Sequence, residues 1–276
     1  MNKAKLIKST VVYALLVLGS LVMLVPFAWM LSTSLKESFQ VFEVPVRWIP
    51  SPIKWHNYVE TFTGLPFGKW LGNTVIITLS TILGTLASCT VVAYGFARFR
   101  AKGKNLLFIV MLSTMMLPGT VTMIPVFYLF QLLGWMNTFY PLIVPAFFGN
   151  AFFIFLLRQF FMGIPTEMEE AAKIDGASTL GILARVILPL TVPALITVAI
   201  FQFNGVWNDF MGPLLYLNKP GLYTLALGIN FFKSENNVQW NFLMAASVVT
   251  MLPSLIFYFV GQKYFVESIT LTGQKG

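Results

Sequence analysis

The chain has 276 residues, 57% of them hydrophobic and only 10% charged, against roughly 45–50% and about 25% in an ordinary soluble domain; mean hydropathy is +0.77. Eighteen basic and ten acidic side chains cannot cover a soluble protein of this size, and this much apolar and aromatic surface cannot stay solvated in a disordered chain. A soluble enzyme and a disordered chain are both excluded; the composition is that of an integral membrane protein.

A helix crosses roughly 30 Å of hydrocarbon with about 20 mostly apolar residues. Six stretches qualify in chain order: 11–31, 74–96, 106–130, 142–157 (reaching a full span only if it continues to 161), 188–206 and 242–260. None alternates as the segments of about 10 residues in a membrane barrel do, so the expected fold is all-α with six transmembrane helices. The first stretch follows Lys3, Lys5 and Lys8 but has no small-residue cleavage pattern before Pro26, and it reads as a retained helix rather than a signal peptide. In the outer segment 32–73, Pro45, Pro50, Pro52 and Pro66 argue against a helical hairpin. Trp48, Trp55 and Trp70 there suit the membrane interface.

With the N-terminus inside, 12 of the 18 cations fall in cytoplasmic segments, four of them between Arg98 and Lys104. That asymmetry places both termini in the cytoplasm, and the basic turn reads as a topology anchor rather than a nucleic-acid surface. Cys89, the only cysteine, is expected to be a packing residue, and His56, the only histidine, a surface loop residue with no metal partners. Pro118 with Gly119, and Pro253, are expected to kink the third and sixth spans.

The segment 162–189 between spans four and five is different in kind. Glu167, Glu169, Glu170 and Asp175 put four of the ten acidic residues within nine positions. Pro165, then Thr166-x-x-Glu169, matches a capping box in which the Thr166 hydroxyl accepts from the Glu169 amide and Glu169 reaches back. Acidic residues fill the first turn, where the helix dipole favours them, Ala171, Ala172 and Ile174 continue the helix, and Gly176 ends it. A helix of about nine residues is not stable alone in water, so its small apolar face of Met168, Ala171 and Ala172 must pack on something. The residues alone fit its own bundle and a cytoplasmic partner equally well.

Glu170-Ala171-Ala172, three residues, Gly176, nine residues, Val186, then Leu188-Pro189 resembles the EAA loop of binding-protein-dependent ABC importer permeases, whose pattern is EAA-x3-G-x9-I-x-LP. Val186 stands where that family has Ile, and Asp175 before the Gly is also similar to it. Trp207-Asn208-Asp209-Phe210 and Tyr223-Thr224-Leu225 resemble the carbohydrate-importer branch. So do Phe265-Val266-Glu267, Leu271-Thr272-Gly273 and Lys275-Gly276, specifically the shorter, six-span permease of the maltose and glycerol-phosphate type.

The resemblance implies a sugar-importer subunit of a bacterial-type inner membrane, surrounded by lipid. Residues 1–69 would be an N-terminal helix and outer loop, 70–265 the transport core and 266–276 a cytoplasmic tail. It implies two ATPase subunits, a second related permease forming a heterodimer, and an extracytoplasmic solute-binding protein, with a coupling helix at 166–175 docked on the ATPase. The chain has no G-x4-G-K-[ST] phosphate loop; it is expected to bind no cofactor and to do no catalysis itself, ATP and Mg residing on the partner.

Ionisable groups are nearly absent from the spans, and Asp209 alone comes close. That leaves little for an ion-coupled carrier, which places charges at mid-membrane, or for an intramembrane enzyme, which needs a nucleophile, a paired acid and base, or a metal cluster. Gln202, Asn204, Trp207, Asn208 and Asp209 cluster at the exit of span five. Amides both donate and accept and so suit sugar hydroxyls, but the same cluster fits a polar break where a helix meets the outer surface.

Overall fold

The structure, a computed structural model, describes residues 3–233 and 238–273, with side chains at 7–233 and 238–263. Among the described residues it is built from helices, with a single isolated bridge between Lys233 and Val238. Two compact units emerge, Met1–Gly68 with Gly228–Leu252 and Lys69–Leu227 with Pro253–Gly276.

In the first unit, α1 (Lys3–Ser34) carries Pro26 within it and exposes apolar side chains around its whole circumference, as a helix solvated by lipid does. The outer segment after it is not all loop. A nine-residue helix, α2 (His56–Gly64), lies between Pro52 and Pro66, and its Asn57 amide donates to the Ser34 and Lys36 carbonyls at 2.9 and 2.8 Å. Lys36 is buried with its ammonium 4.3 Å from the Trp29 ring centroid, an aromatic face replacing part of its water. His56 is exposed at the start of α2, 3.2 Å from Glu60, and no group of metal-ligating residues forms among the described residues.

The second unit is organised on α3 (Phe67–Arg98). It begins seven residues before the apolar run does, and Trp70 in its first turns is buried, its indole donating to the Pro220 carbonyl at 2.8 Å. Asn73 donates to the Gly221 and Tyr223 carbonyls, and Thr74 accepts the Leu225 amide at 2.8 Å. The Tyr223-Thr224-Leu225 segment is thereby held against the start of α3.

The third stretch is not one rod. Helices α4 (Lys104–Ser113) and α5 (Gly119–Leu132) belong to segments bent by 98°. Pro118 lacks an amide proton and pushes Leu117 into extended backbone (ψ 115°). The short α6 (Tyr140–Ile143) precedes α7 (Ala151–Met162), capped by Asn150, whose carboxamide oxygen accepts from the Phe152 and Phe153 amides.

After α8 (Glu167–Ile174), α9 (Thr179–Ile182) continues through a π turn into α10 (Leu188–Leu190), and an 81° bend separates this run from α11 (Val192–Trp207). Residues 188–190, expected in span five, therefore belong to the preceding segment. At the bend the Thr191 hydroxyl donates to the Ile187 carbonyl at 2.9 Å, a second bond to an oxygen that also accepts the Thr191 amide. The chain ends with α12 (Met211–Tyr216), α13 (Leu225–Gly228) and α14 (Trp240–Gly273). Pro253 lies inside α14 without ending it. The helix backbone runs on through Phe265, Val266, Glu267, Leu271, Thr272 and Gly273, while Lys275 and Gly276 lie outside the described residues. Among the described residues four helices are long and apolar enough to cross a membrane, or up to six if each bent pair is one span.

The core of this unit joins Cys89, Ala93 and Tyr94 of α3 to Phe153, Ile154, Leu157 and Phe161 of α7, Ile182 of α9, Leu183 and Ile187 of the π turn after it, and Ala194 and Val198 of α11. The i, i+4 pairs Cys89/Ala93 and Ala194/Val198 and the 153/154/157/161 series each form one helix face. Small residues let the backbones approach, which matters where lipid supplies no hydrophobic drive between helices. Cys89 is a packing residue, fully buried, with its sulfur accepting the Asn150 amide at 3.3 Å.

Gly84 marks a close approach on α3: a Cβ there would lie 2.6 Å from the Phe147 ring. We expect Gly84→Val to cost about 1–3 kcal/mol by overpacking, read as a lowered thermal midpoint in detergent, and Phe147→Ala to restore it in the double variant.

Candidate functional site

Glu167, Glu169 and Glu170 occupy the first turn of α8 and Lys173 the last, matching the helix dipole at both ends. The capping box does not form. Thr166 has helical backbone (φ −69°, ψ −25°) and makes no side-chain cap; its carbonyl instead accepts the Glu169 and Glu170 amides at 3.0 and 3.1 Å.

Glu169 is committed elsewhere. Its carboxylate Oε1 lies 2.5 Å from the Arg98 Nε, the two side chains being 5% and 9% exposed, and Oε2 accepts from the Tyr94 hydroxyl at 3.3 Å. The Arg98 Nη2 also donates to the Ile164 carbonyl at 2.7 Å. Arg98 is thus the last residue of α3 and an internal partner of α8, not a free cation of the basic turn.

The helix ends in a Schellman motif. The Gly176 amide bonds to the Lys173 carbonyl, the Ala177 amide bonds to Ala172 at 2.9 Å, and Gly176 has φ +80°. Asp175 is the C-cap. Ala172 and Ala177 pack on the core, while Glu167, Met168, Glu170, Ala171 and Ile174 are exposed, Ile174 at 87%. Of the apolar face read from the sequence, Ala172 faces the bundle; Met168 and Ala171 face away.

At the exit of α11 the expected residues divide. Trp207 is buried and stacks on Phe203 at 5.1 Å, which stacks in turn on Phe257 at 4.0 Å. Asn204 and Asn208, one turn apart and exposed, donate to the Ile200 and Asn204 carbonyls of their own helix. Gln202 is half-buried. The Asp209 carboxylate accepts the Gly212 amide at 3.1 Å; burial raises its pKa above the usual carboxylate range, against the pull of the Gly212 and Met211 amides. The five are consecutive turns of one helix end rather than a single convergent pocket.

Tyr94 and Arg98 were not picked out as site residues from the sequence. The available signal was their i, i+4 spacing at the end of an apolar run.

Residues 80–271 match the family described as binding-protein-dependent transport system inner membrane component. The chain is 33% identical over 275 residues to the probable ABC transporter permease protein YurM of Bacillus subtilis (strain 168), covering 98% of this chain and 90% of that protein. It is 32% identical over 270 residues to the trehalose/maltose transport system permease protein MalG of Thermococcus litoralis, covering 95% and 96%. The arabinooligosaccharides transport system permease protein AraQ of Bacillus subtilis is 32% identical over 260 residues, at 93% and 92%. Among solved structures, a chain of a bacterial ABC transporter involved in the import of the acidic polysaccharide alginate superposes with a TM-score of 0.86 at 26% identity, covering 96% of this chain and 99% of that one.

A side chain at position 176 meets no atom within 4 Å but must adopt the left-handed conformation. We expect Gly176→Val to fray the end of α8 at a cost of about 1–2 kcal/mol, seen as faster proteolytic nicking after Lys173. Gly176→Asn should be milder, because asparagine tolerates this backbone; equal effects from both would place the cause in sterics instead.

Proposed function

The chain belongs to the family of binding-protein-dependent transport system inner membrane components, and we propose that it is a permease subunit of an ATP-driven importer for a sugar or sugar-like solute, coupled to a separate ATPase through α8. Its position in the inner membrane follows from the family and agrees with the apolar helices. The sugar class rests on relatives named for trehalose/maltose and arabinooligosaccharides.

The observation that carries the coupling reading is the two-sidedness of α8. Glu169 and Ala172 hold it to its own bundle, while Glu167, Met168, Glu170, Ala171 and Ile174 are exposed among the described residues. An isoleucine 87% exposed beside two glutamates has the character of an interface core with a polar rim. In this reading two ATPase subunits bind ATP and Mg, close, and displace the docked helices. Two related permease chains then rock between inward- and outward-open states around a shared path, fed by an extracytoplasmic binding protein. Asn204, Asn208 and Gln202 are the groups of this chain with hydroxyl-matching chemistry at the outer end of that path.

The test is co-purification of the tagged chain from its native membrane in mild detergent. Ile174→Asp combined with Glu170→Lys should lower ATPase recovery at least about tenfold, which corresponds to roughly 1.4 kcal/mol and is modest for an interface centre, with the chain's elution profile unchanged. Undiminished ATPase recovery in that variant would sink the docking assignment.

A further inference from the structure

We propose that the buried Arg98–Glu169 pair is a rigid joint that carries the movement of α8 into α3, and through α3 to the segment 220–225 at its other end. The inference rests on the reading that α8 docks on an ATPase, and adds which part of the bundle receives the stroke.

A two-turn helix has no stiffness of its own, so its displacement reaches only what it is bonded to. The polar contacts from α8 and its run-in go to the last turns of α3: an ion pair from Arg98 to Glu169, and hydrogen bonds from Arg98 Nη2 to the Ile164 carbonyl and from the Tyr94 hydroxyl to the second Glu169 oxygen. One guanidinium therefore grips the approach and the body of α8 together. With the pair 9% and 5% exposed, separating it would strand two uncompensated charges away from water, which makes a buried pair far harder to part than a surface one.

The receiving element suits the task. Helix α3 runs 32 residues with no proline, a rod of about 48 Å at 1.5 Å per residue. The segments that follow it are broken at 98° and 81° and absorb displacement at their bends. At the opposite end of the rod, Trp70, Asn73 and Thr74 grip 220–225 through four hydrogen bonds. A push at Glu169 thus has a continuous bonded path along one helix to a segment 51 residues beyond it in sequence. Arginine is required at 98, because lysine is a point donor and cannot hold Glu169 and Ile164 in a fixed fork.

The experiment uses the assembled complex, with spin labels at Lys173→Cys on α8 and Leu83→Cys on α3. Both sites are exposed, and the fully buried Cys89 escapes labelling. With the native pair, a joint gives one narrow distance that stays put between the nucleotide-free state and the complex trapped with ADP and vanadate. Glu169→Gln or Arg98→Gln should broaden or split that distance on trapping, Arg98→Lys less so. Arg98→Glu with Glu169→Arg rebuilds an ion pair but loses the Ile164 bond, so it should narrow the distribution only in part, and it carries the test if either single variant fails to fold.

A wild-type peak that shifts on trapping shows α8 sliding independently of α3 and overturns the joint, as does a Glu169→Gln spectrum identical to wild type. Both leave docking intact. Failure of the wild-type chain to retain any ATPase overturns the docking reading first, and the joint with it.

Discussion

Lipid offers helices no hydrophobic reason to associate, so the bundle depends on how closely α3 can be approached. Gly84, Cys89 and Ala93 present little side chain between the α3 backbone and its neighbours, and dispersion over that close contact replaces the water-driven term of a soluble core. Both ends of α3 inherit their positions from this packing. At one end Trp70, Asn73 and Thr74 are set where the 220–225 carbonyls and amides can reach them. At the other, Tyr94 is itself part of the core, and Arg98 one turn later meets Glu169.

The same medium dictates how the helices break. A helix interrupted in a low-dielectric environment must find new partners for the freed carbonyls and amides. At the bend before α11 the Thr191 hydroxyl and amide each reach both the Ile187 and the Leu188 carbonyls. The turn before α7 uses Asn150, which takes two amides on its side chain and gives its own to the Cys89 sulfur. Short polar side chains in the apolar stretches are therefore mostly spent on local backbone. Asn204 and Asn208 follow that pattern, and any solute contact there has to compete with those bonds.

Much of this was legible in the residues. Hydropathy located every apolar stretch, and the spacing from Glu170 to Pro189 located the loop helix and its terminating glycine, because both are local patterns with a fixed period. What stayed hidden was set by partners distant in sequence or by angle. Thr166-x-x-Glu169 has the letters of a capping box, but Arg98, 71 positions earlier, offers the Glu169 carboxylate a charged, buried partner that an amide at the helix start cannot match. Pro118 announces a kink, while its 98° depends on what the two halves pack against. Helix α2 is too short and too polar to stand out beside its prolines; its anchors are the carbonyls of Ser34 and Lys36.

Because Gly176 stops α8 after eight residues, the helix presents about 12 Å of length in all, and its two faces answer to different masters. The inward face is held at Glu169 and Ala172. The outward face can be rewritten residue by residue without disturbing the bundle that carries it. Under the docking proposed for α8, recognition of a motor and integrity of the membrane body are separable within a single two-turn element, so a chain of this design could change the motor it works with by drift at a handful of outward positions while its transport pathway stays as it is.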